Sequence, residues 1–229
     1  MIAKNIKIFP LGDNALSVSF GSEISPELNN LVLKLAYFFE QNSFQGFIEI
    51  VPAYASLSIF YDVLIVRKNF PEFSTAFEAV KVLVENALQN LNEIQENKPP
   101  LVKIPVSFDK EFAPDLEFVA STNNLTPQKV IEIFTAQTYR VYMLGFLPGF
   151  AYMGEVDERI AAPRKTLPRL KVPKGSVGIA GKQTGIYSLE SPGGWQIIGK
   201  TNIELFTPEA DTPTFLQAGD TIKFFPTKF

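Results

Sequence analysis

The sequence predicts an α+β N-terminal domain followed by a mainly β domain, and three observations carry that expectation. As far as Leu91, apolar residues switch between period two and helical spacing, the pattern of strands interleaved with helices. Beyond Gly145 the chain breaks into short apolar pieces between glycines and prolines, as in a sandwich or barrel. Between these regions Asn92–Pro100 (NEIQENKPP) is polar and closes on two prolines, the composition of a linker. The expected division is a small α/β domain over 1–97, with its linker at about 92–100, and a second domain over 98–229.

Taken in order, Leu16, Val18 and Phe20 alternate with small or polar residues and predict a half-buried strand, ended by Gly21. Ser25-Pro26 offers an N-cap with proline at the first helical position. Leu28, Leu31, Val32, Leu35 and Phe39 follow at helical spacing and predict an amphipathic helix over 26–41. After Gly46, Phe47–Val51 and Leu57–Tyr61 read as strands separated by Pro52-Ala53-Tyr54. Thr75-x-x-Glu78 has the form of a capping box, ahead of a second stripe of Phe77, Val80, Val84, Leu88 and Leu91. Both stripes are assigned to the core. Past the linker come a strand at Val102–Phe108 and short helices at Asp115–Ser121 and from Thr126-Pro127 to Phe134. A strand at Tyr139–Leu144 follows. The later pieces are Val177–Ala180, Ile186–Leu189, Trp195–Ile198, Glu204–Phe206 and Thr221–Phe225.

Composition narrows the chemistry. The 229 residues are 46% apolar with 21 Phe, ample for a packed core. No apolar run reaches the roughly 18–20 residues of a membrane span, and the first residues lack a signal peptide's apolar stretch. A net charge of −3 gives no whole-chain support for nucleic-acid binding, so neither a nucleic-acid nor a membrane partner is expected. Cysteine is absent, which removes thiol chemistry and favours a cytoplasmic location. Histidine is absent too, which excludes Ser-His-Asp machinery and histidine metal sites. Any acid or base must be Asp, Glu, Lys, Tyr or a chain terminus, and any metal would need oxygen ligands; no metal site is assigned.

Against that background the stretch from Gly145 to Thr201 stands out, because it holds ten of the fourteen glycines. Seven cations lie between Arg159 and Leu189 with no acid among them: Arg159, Arg164, Lys165, Arg169, Lys171, Lys174 and Lys182. Cations beside flexible backbone are what an anion-binding surface requires. Gly145-Phe-Leu-Pro148-Gly149-Phe150 lacks dinucleotide or P-loop spacing and reads as a tight structural turn. Around it Tyr142, Phe146, Phe150 and Tyr152 form either an aromatic wall or core. Pro163-Arg164-x-x-x-Pro168-Arg169 puts two guanidinium forks on a proline-stiffened loop, suited to carboxylate or phosphate. Lys174, Lys182, Gln183 and Thr184 add polar groups, and Tyr187, Ser191, Gly193 and Trp195 complete the candidate set. No histidine can activate Ser191, which leaves only a Ser-Lys arrangement with Lys182 or Lys200. Asp157 and Glu158 are a candidate carboxylate base or magnesium ligand, or else an exposed turn.

Taken together, GFLPGFAYMG, PRKTLPRLKVPKGSVGIAGKQTGIY and SPGGWQIIGKT resemble the family of 5-oxoprolinase B subunits. That family is also called allophanate hydrolase subunit 1 or the KipI-type sporulation-kinase inhibitors. LGDNALSVSFG, EIVPAYASLSIFYD, IPVSFDKEFAPDLEFVA, TYRVYMLGF and AGDTIKFFP extend the likeness over nearly the whole chain, in order. The resemblance implies a cyclophilin-like β-barrel as the second domain. It implies a chain that works with the C subunit (of the allophanate hydrolase subunit 2 type) and the A subunit of 5-oxoprolinase to hydrolyse 5-oxo-L-proline to L-glutamate. That reaction is coupled to ATP, with Mg2+, and needs no covalent cofactor. The chain is then expected to be inactive alone. Inhibition of a sensor histidine kinase is the alternative, and an allophanate amidase role is a weaker one, without a Ser-Ser-Lys signature. Two departures from the family pattern are Phe134, where histidine is expected, and Ala55, where arginine is expected.

Overall fold

The computed structural model describes residues 6–91 and 101–228, so the linker stretch at 92–100 lies outside the described residues. Contacts divide the chain into two compact units, Met1–Lys98 and Pro99–Phe229, and each has its own core.

The first unit runs β1 (Lys7–Pro10), β2 (Ala15–Ser19), α1 (Pro26–Gln41), β3 (Phe47–Pro52), β4 (Ser56–Tyr61), α2 (Val63–Asn69) and α3 (Ala76–Gln89). Its antiparallel sheet has the order β1-β2-β4-β3. Period two turns Leu16 and Val18 of β2, and Leu57, Ile59 and Tyr61 of β4, toward Val32, Leu35 and Phe39 of α1 and Val80 and Val84 of α3; all these side chains are buried. The helix starts form as their sequences predict. The Ser25 hydroxyl accepts from the Leu28 N–H at 3.2 Å. Thr75 and Glu78 exchange the two bonds of a capping box, 3.1 and 3.2 Å. The helix α2 was not anticipated, because seven residues are too few to show a stripe; Asp62 starts it by accepting from the Ile65 N–H at 2.9 Å.

The second unit opens with β5 (Leu101–Val106), α4 (Leu116–Thr122), α5 (Pro127–Ala136), β6 (Tyr139–Leu144) and β7 (Ala151–Gly154). A single 3-10 turn (Glu158–Ile160) leads to β8 (Arg169–Val172), β9 (Ser176–Ala180), β10 (Gln183–Ile186), β11 (Ser191–Gly193), β12 (Gln196–Lys200) and β13 (Thr221–Pro226). Seven strands form one mixed sheet in the order β12-β9-β10-β7-β6-β13-β5, with only β13 and β5 parallel. Its two ends nearly close into a barrel, since Ser107, just past β5, exchanges two backbone bonds with Lys200 of β12, 2.8 and 2.9 Å. Gly199 belongs to this seam because a Cβ there would lie 2.6 Å from Val106 Cγ1. Ile104, Val106, Val141, Met153, Ile179, Ile198, Ile222 and Phe224 fill the interior with Val130, Ile133 and Phe134 of α5. Phe134 stacks on Phe224 with ring centroids 5.0 Å apart, so the side chain at this departure from the family pattern is core.

Two expected strands are corrected. Glu204–Phe206 forms only an isolated bridge between Phe206 and Thr214, and the Ile186–Leu189 piece leaves the sheet early: β10 ends at Ile186, Tyr187 still exchanges backbone bonds with Ser176 and Gly175, and the chain turns from Ser188. The short β7, β8 and β11 gave too few alternations to be read as strands.

Candidate functional site

The strands β8 and β11 form a separate two-stranded ribbon in which Arg169 pairs opposite Gly193 and Val172 opposite Ser191. Gly193 is required there, because a Cβ would collide with the ring and hydroxyl of Tyr187. Beneath the ribbon Phe150, Val172, Ala180, Tyr187, Trp195 and Ile197 make a second apolar cluster. Its aromatic rings meet edge to face: Phe150 with Tyr187 at 5.4 Å, Phe150 with Trp195 at 5.5 Å, and Tyr152 with Trp195 at 6.0 Å. Phe146 sits exposed at the edge of this group, 6.4 Å from Tyr187. The turn over Gly145, Pro148 and Gly149 sets its position: Phe146 takes φ 69°, and a Cβ on Gly149 would meet the Leu205 carbonyl at 2.7 Å. Phe150 therefore belongs to the core, while Phe146 is left exposed beside it.

The basic loop 163–169 is fastened to this floor. The Lys165 N–H donates to the Gly194 carbonyl at 2.7 Å, and the Gln196 side-chain amide donates to the Pro163 carbonyl at 2.8 Å. The strongest tie comes from Asp115, which is buried at the start of α4. Its Oδ1 accepts from Arg169 Nη2 at 2.7 Å and Lys165 Nζ at 3.2 Å, and its Oδ2 accepts from the Ile197 N–H at 2.7 Å. Burial by itself would raise the Asp115 pKa; the bond from Arg169, the Ile197 N–H, the Arg169 charge and the bond from Lys165 outweigh it and hold the carboxyl below the ordinary range.

Acids drawn from elsewhere in the chain compensate most of the basic stretch. Arg159 pairs with Asp157, Lys171 with Glu190, Lys174 with Glu204 and Lys182 with Glu158, all partly or fully exposed. Of the seven cations only Arg164 has no carboxylate partner among the described residues. Its guanidinium lies 5.8 Å from the centroid of the Trp195 ring, a cation–π contact on the exposed side of the loop. Tyr187 lies in the same field: burial raises its pKa, and the Trp195 N–H and the charges of Arg164 and Arg169 offset part of that rise.

The structure thus brings together Arg164, Arg169, Tyr187, Gly193 and Trp195. Lys174 and Lys182 share no hydrogen bond or ion pair with that group among the described residues. Gln183 is half-buried on β10, and the Thr184 hydroxyl, fully buried, donates to the Gly178 carbonyl at 2.9 Å. The Ser191 hydroxyl donates to the Pro192 carbonyl at 3.2 Å, and Lys200 lies over the Phe112 ring. Arg159 holds the Asp157 carboxyl down to about 2, which makes it a weak base at neutral pH. The sequence reading missed Asp115 and Gln196. An aspartate ahead of a helix is ordinarily a cap, and only the absence of a capping bond from Asp115 in the folded chain shows its different use.

Residues 6–216 match the family described as carboxyltransferase domain, subdomain C and D. Over 219 residues the chain is 50% identical to the 5-oxoprolinase B subunit of Bacillus subtilis (strain 168), covering 95% of this chain and 91% of that protein. The chain belongs to this carboxyltransferase family, alongside the B subunits of 5-oxoprolinase. Among solved structures, TTHA0988 is similar at 33% identity and a TM-score of 0.79 over 94% of this chain; the chain spans 40% of that protein's length. The Kluyveromyces lactis urea carboxylase, at 20% identity and a TM-score of 0.71, covers 97% of this chain, which spans 22% of it, and shares the fold.

Proposed function

We propose that this chain is the B subunit of an ATP-dependent 5-oxoprolinase that hydrolyses 5-oxo-L-proline to L-glutamate together with the A and C subunits. The observation that carries the reading is the 50% identity, over nearly the full length of both proteins, to a 5-oxoprolinase B subunit. The site supports it: a guanidinium pair above an aromatic floor suits a small anionic ring compound, and it requires no histidine. Within the assembly the second unit is taken as a cyclophilin-like barrel, separated from the first near residue 97 and presenting one half of a site that a second protein completes. Alone, the chain is inactive.

The reaction needs ATP because the lactam is unreactive; phosphorylating its oxygen makes a better electrophile, and cations stabilise the charge that develops. The basic stretch does not by itself make a triphosphate cradle, since six of its seven cations already face carboxylates. ATP with Mg2+ is therefore assigned to the assembled enzyme and not to this loop. A cytoplasmic location belongs to the same reading. Among the described residues no helix is long and apolar enough to cross a membrane.

The test is co-expression with the A and C subunits and an assay of glutamate release from 5-oxoproline with ATP. Omitting this chain abolishes activity, and Arg164→Ala lowers it at least ~10-fold, about 1.4 kcal/mol of transition-state stabilisation, with an unchanged unfolding midpoint because Arg164 is exposed. Activity that persists without the chain sinks the reading. Slowed autophosphorylation of a histidine kinase by the isolated chain, with no glutamate released by the assembly, replaces it with the inhibitor role.

A further inference from the structure

We propose that Asp115 is the positioning residue of a carboxylate-binding subsite in which Arg169 Nη1 and Arg164 take the two oxygens of one small monocarboxylate above Trp195. The choice of 5-oxoproline as that monocarboxylate rests on the 5-oxoprolinase reading; the subsite itself does not.

Three observations converge on it. First, Asp115 stands at the N-cap position of α4 and makes no capping bond. Its two oxygens go instead to Arg169, Lys165 and the Ile197 N–H. A buried carboxylate that forgoes the helix in front of it is acting on the loop. Second, it occupies only one amino group of Arg169. The other, Nη1, is shielded from solvent and has no hydrogen-bond partner among the described residues. A guanidinium group in that state has one amino group fixed and a second, buried one with its hydrogen bond unmade. Third, Arg164 lies five positions earlier on the same loop without a carboxylate partner among the described residues, its charge resting on an indole face.

The ligand class follows from the donors. They are planar guanidinium forks beside a flat aromatic ring, which match a planar carboxylate carried on a small ring. Such forks also fit phosphate, and titration with phosphate and ATP separates the two. In this arrangement Asp115 touches no substrate. It fixes the angle of Arg169 so that Nη1 is in place before the ligand arrives, which lowers the ordering cost of binding. Entry of the anion draws Arg164 from the indole face, and this makes the single tryptophan a reporter.

The experiment uses the full chain labelled with 15N at its tryptophan, alone and again with the unlabelled C subunit of 5-oxoprolinase, titrated with 5-oxoproline, acetate, inorganic phosphate and ATP. A saturable shift of the Trp195 indole signal with 5-oxoproline, weaker with acetate and absent with phosphate and ATP, is expected. Asp115→Asn keeps the shape and removes the charge; it weakens 5-oxoproline binding about tenfold or more, and Asp115→Glu restores part of the loss. If Asp115→Asn does not fold, Arg169→Lys, at a position 26% exposed, carries the same test, because an ammonium cannot hold Asp115 and a ligand in one plane. A purely structural Asp115 lowers the unfolding midpoint and leaves ligand affinity at the parent value, and that result overturns the proposal. So does a response to phosphate or ATP in place of carboxylate, or no response to any carboxylate with or without the C subunit. None of these outcomes depends on glutamate release, so the subsite and the 5-oxoprolinase reading fail separately.

Discussion

At Asp115, burial and pairing act on one carboxyl in opposite directions, and pairing wins, leaving its folded pKa below the ordinary value. The stability it contributes is fully present above the unfolded carboxyl pKa of about 3.9 and is lost as pH falls through the lower folded value. Asp115→Asn should therefore cost about 1–3 kcal/mol near neutral pH, and the gap from the parent should close as pH drops below about 4. Urea unfolding of the two proteins across that range measures it; a gap that stays constant in acid would show that the charge contributes nothing. The residue scale also shows what the sequence could and could not carry. Arg164 and Arg169 were legible because two arginines share one proline-flanked loop. Asp115 was not, because the 54 positions separating it from Arg169 leave no local pattern.

The stretch from Pro163 into the start of β8 is held by main-chain and side-chain bonds at Pro163, Lys165 and Arg169, yet Leu167 is 83% exposed and Leu170 is 88% exposed. Local anchoring that leaves two leucines in water makes this element a candidate contact for the C subunit. The double variant Leu167→Ser, Leu170→Ser should lose co-purification with the C subunit while keeping the parent unfolding midpoint, because neither side chain contributes buried area. Retained association in a pull-down would remove the loop from the interface. Elements with many alternations or a cap were readable: the α1 stripe, the Thr75–Glu78 box and β13 fold where their patterns predict. The ribbon was not, since three or four residues show no period, and its pairing depends on a glycine that lets Tyr187 approach.

Each of the two units satisfies its own apolar stripes. In the first, β2 and β4 are covered by α1 and α3; in the second, a seven-stranded sheet curls until Ser107 meets Lys200, with α5 over its core. All members of the candidate site, Asp115 included, lie between residues 99 and 229, as do both clusters that support them. A fragment of 131 residues with a nearly closed sheet is within the size at which one core suffices. Residues 99–229 expressed alone should therefore unfold cooperatively, and their labelled Trp195 should respond to 5-oxoproline with the affinity of the full chain. Circular dichroism with a denaturant titration checks the first half, and the indole titration the second. Cooperative unfolding without ligand response would show that residues 99–229 do not hold the whole subsite. Failure to unfold cooperatively would mean that the barrel seam at Gly199 and Lys200 is too weak to close without residues before position 99.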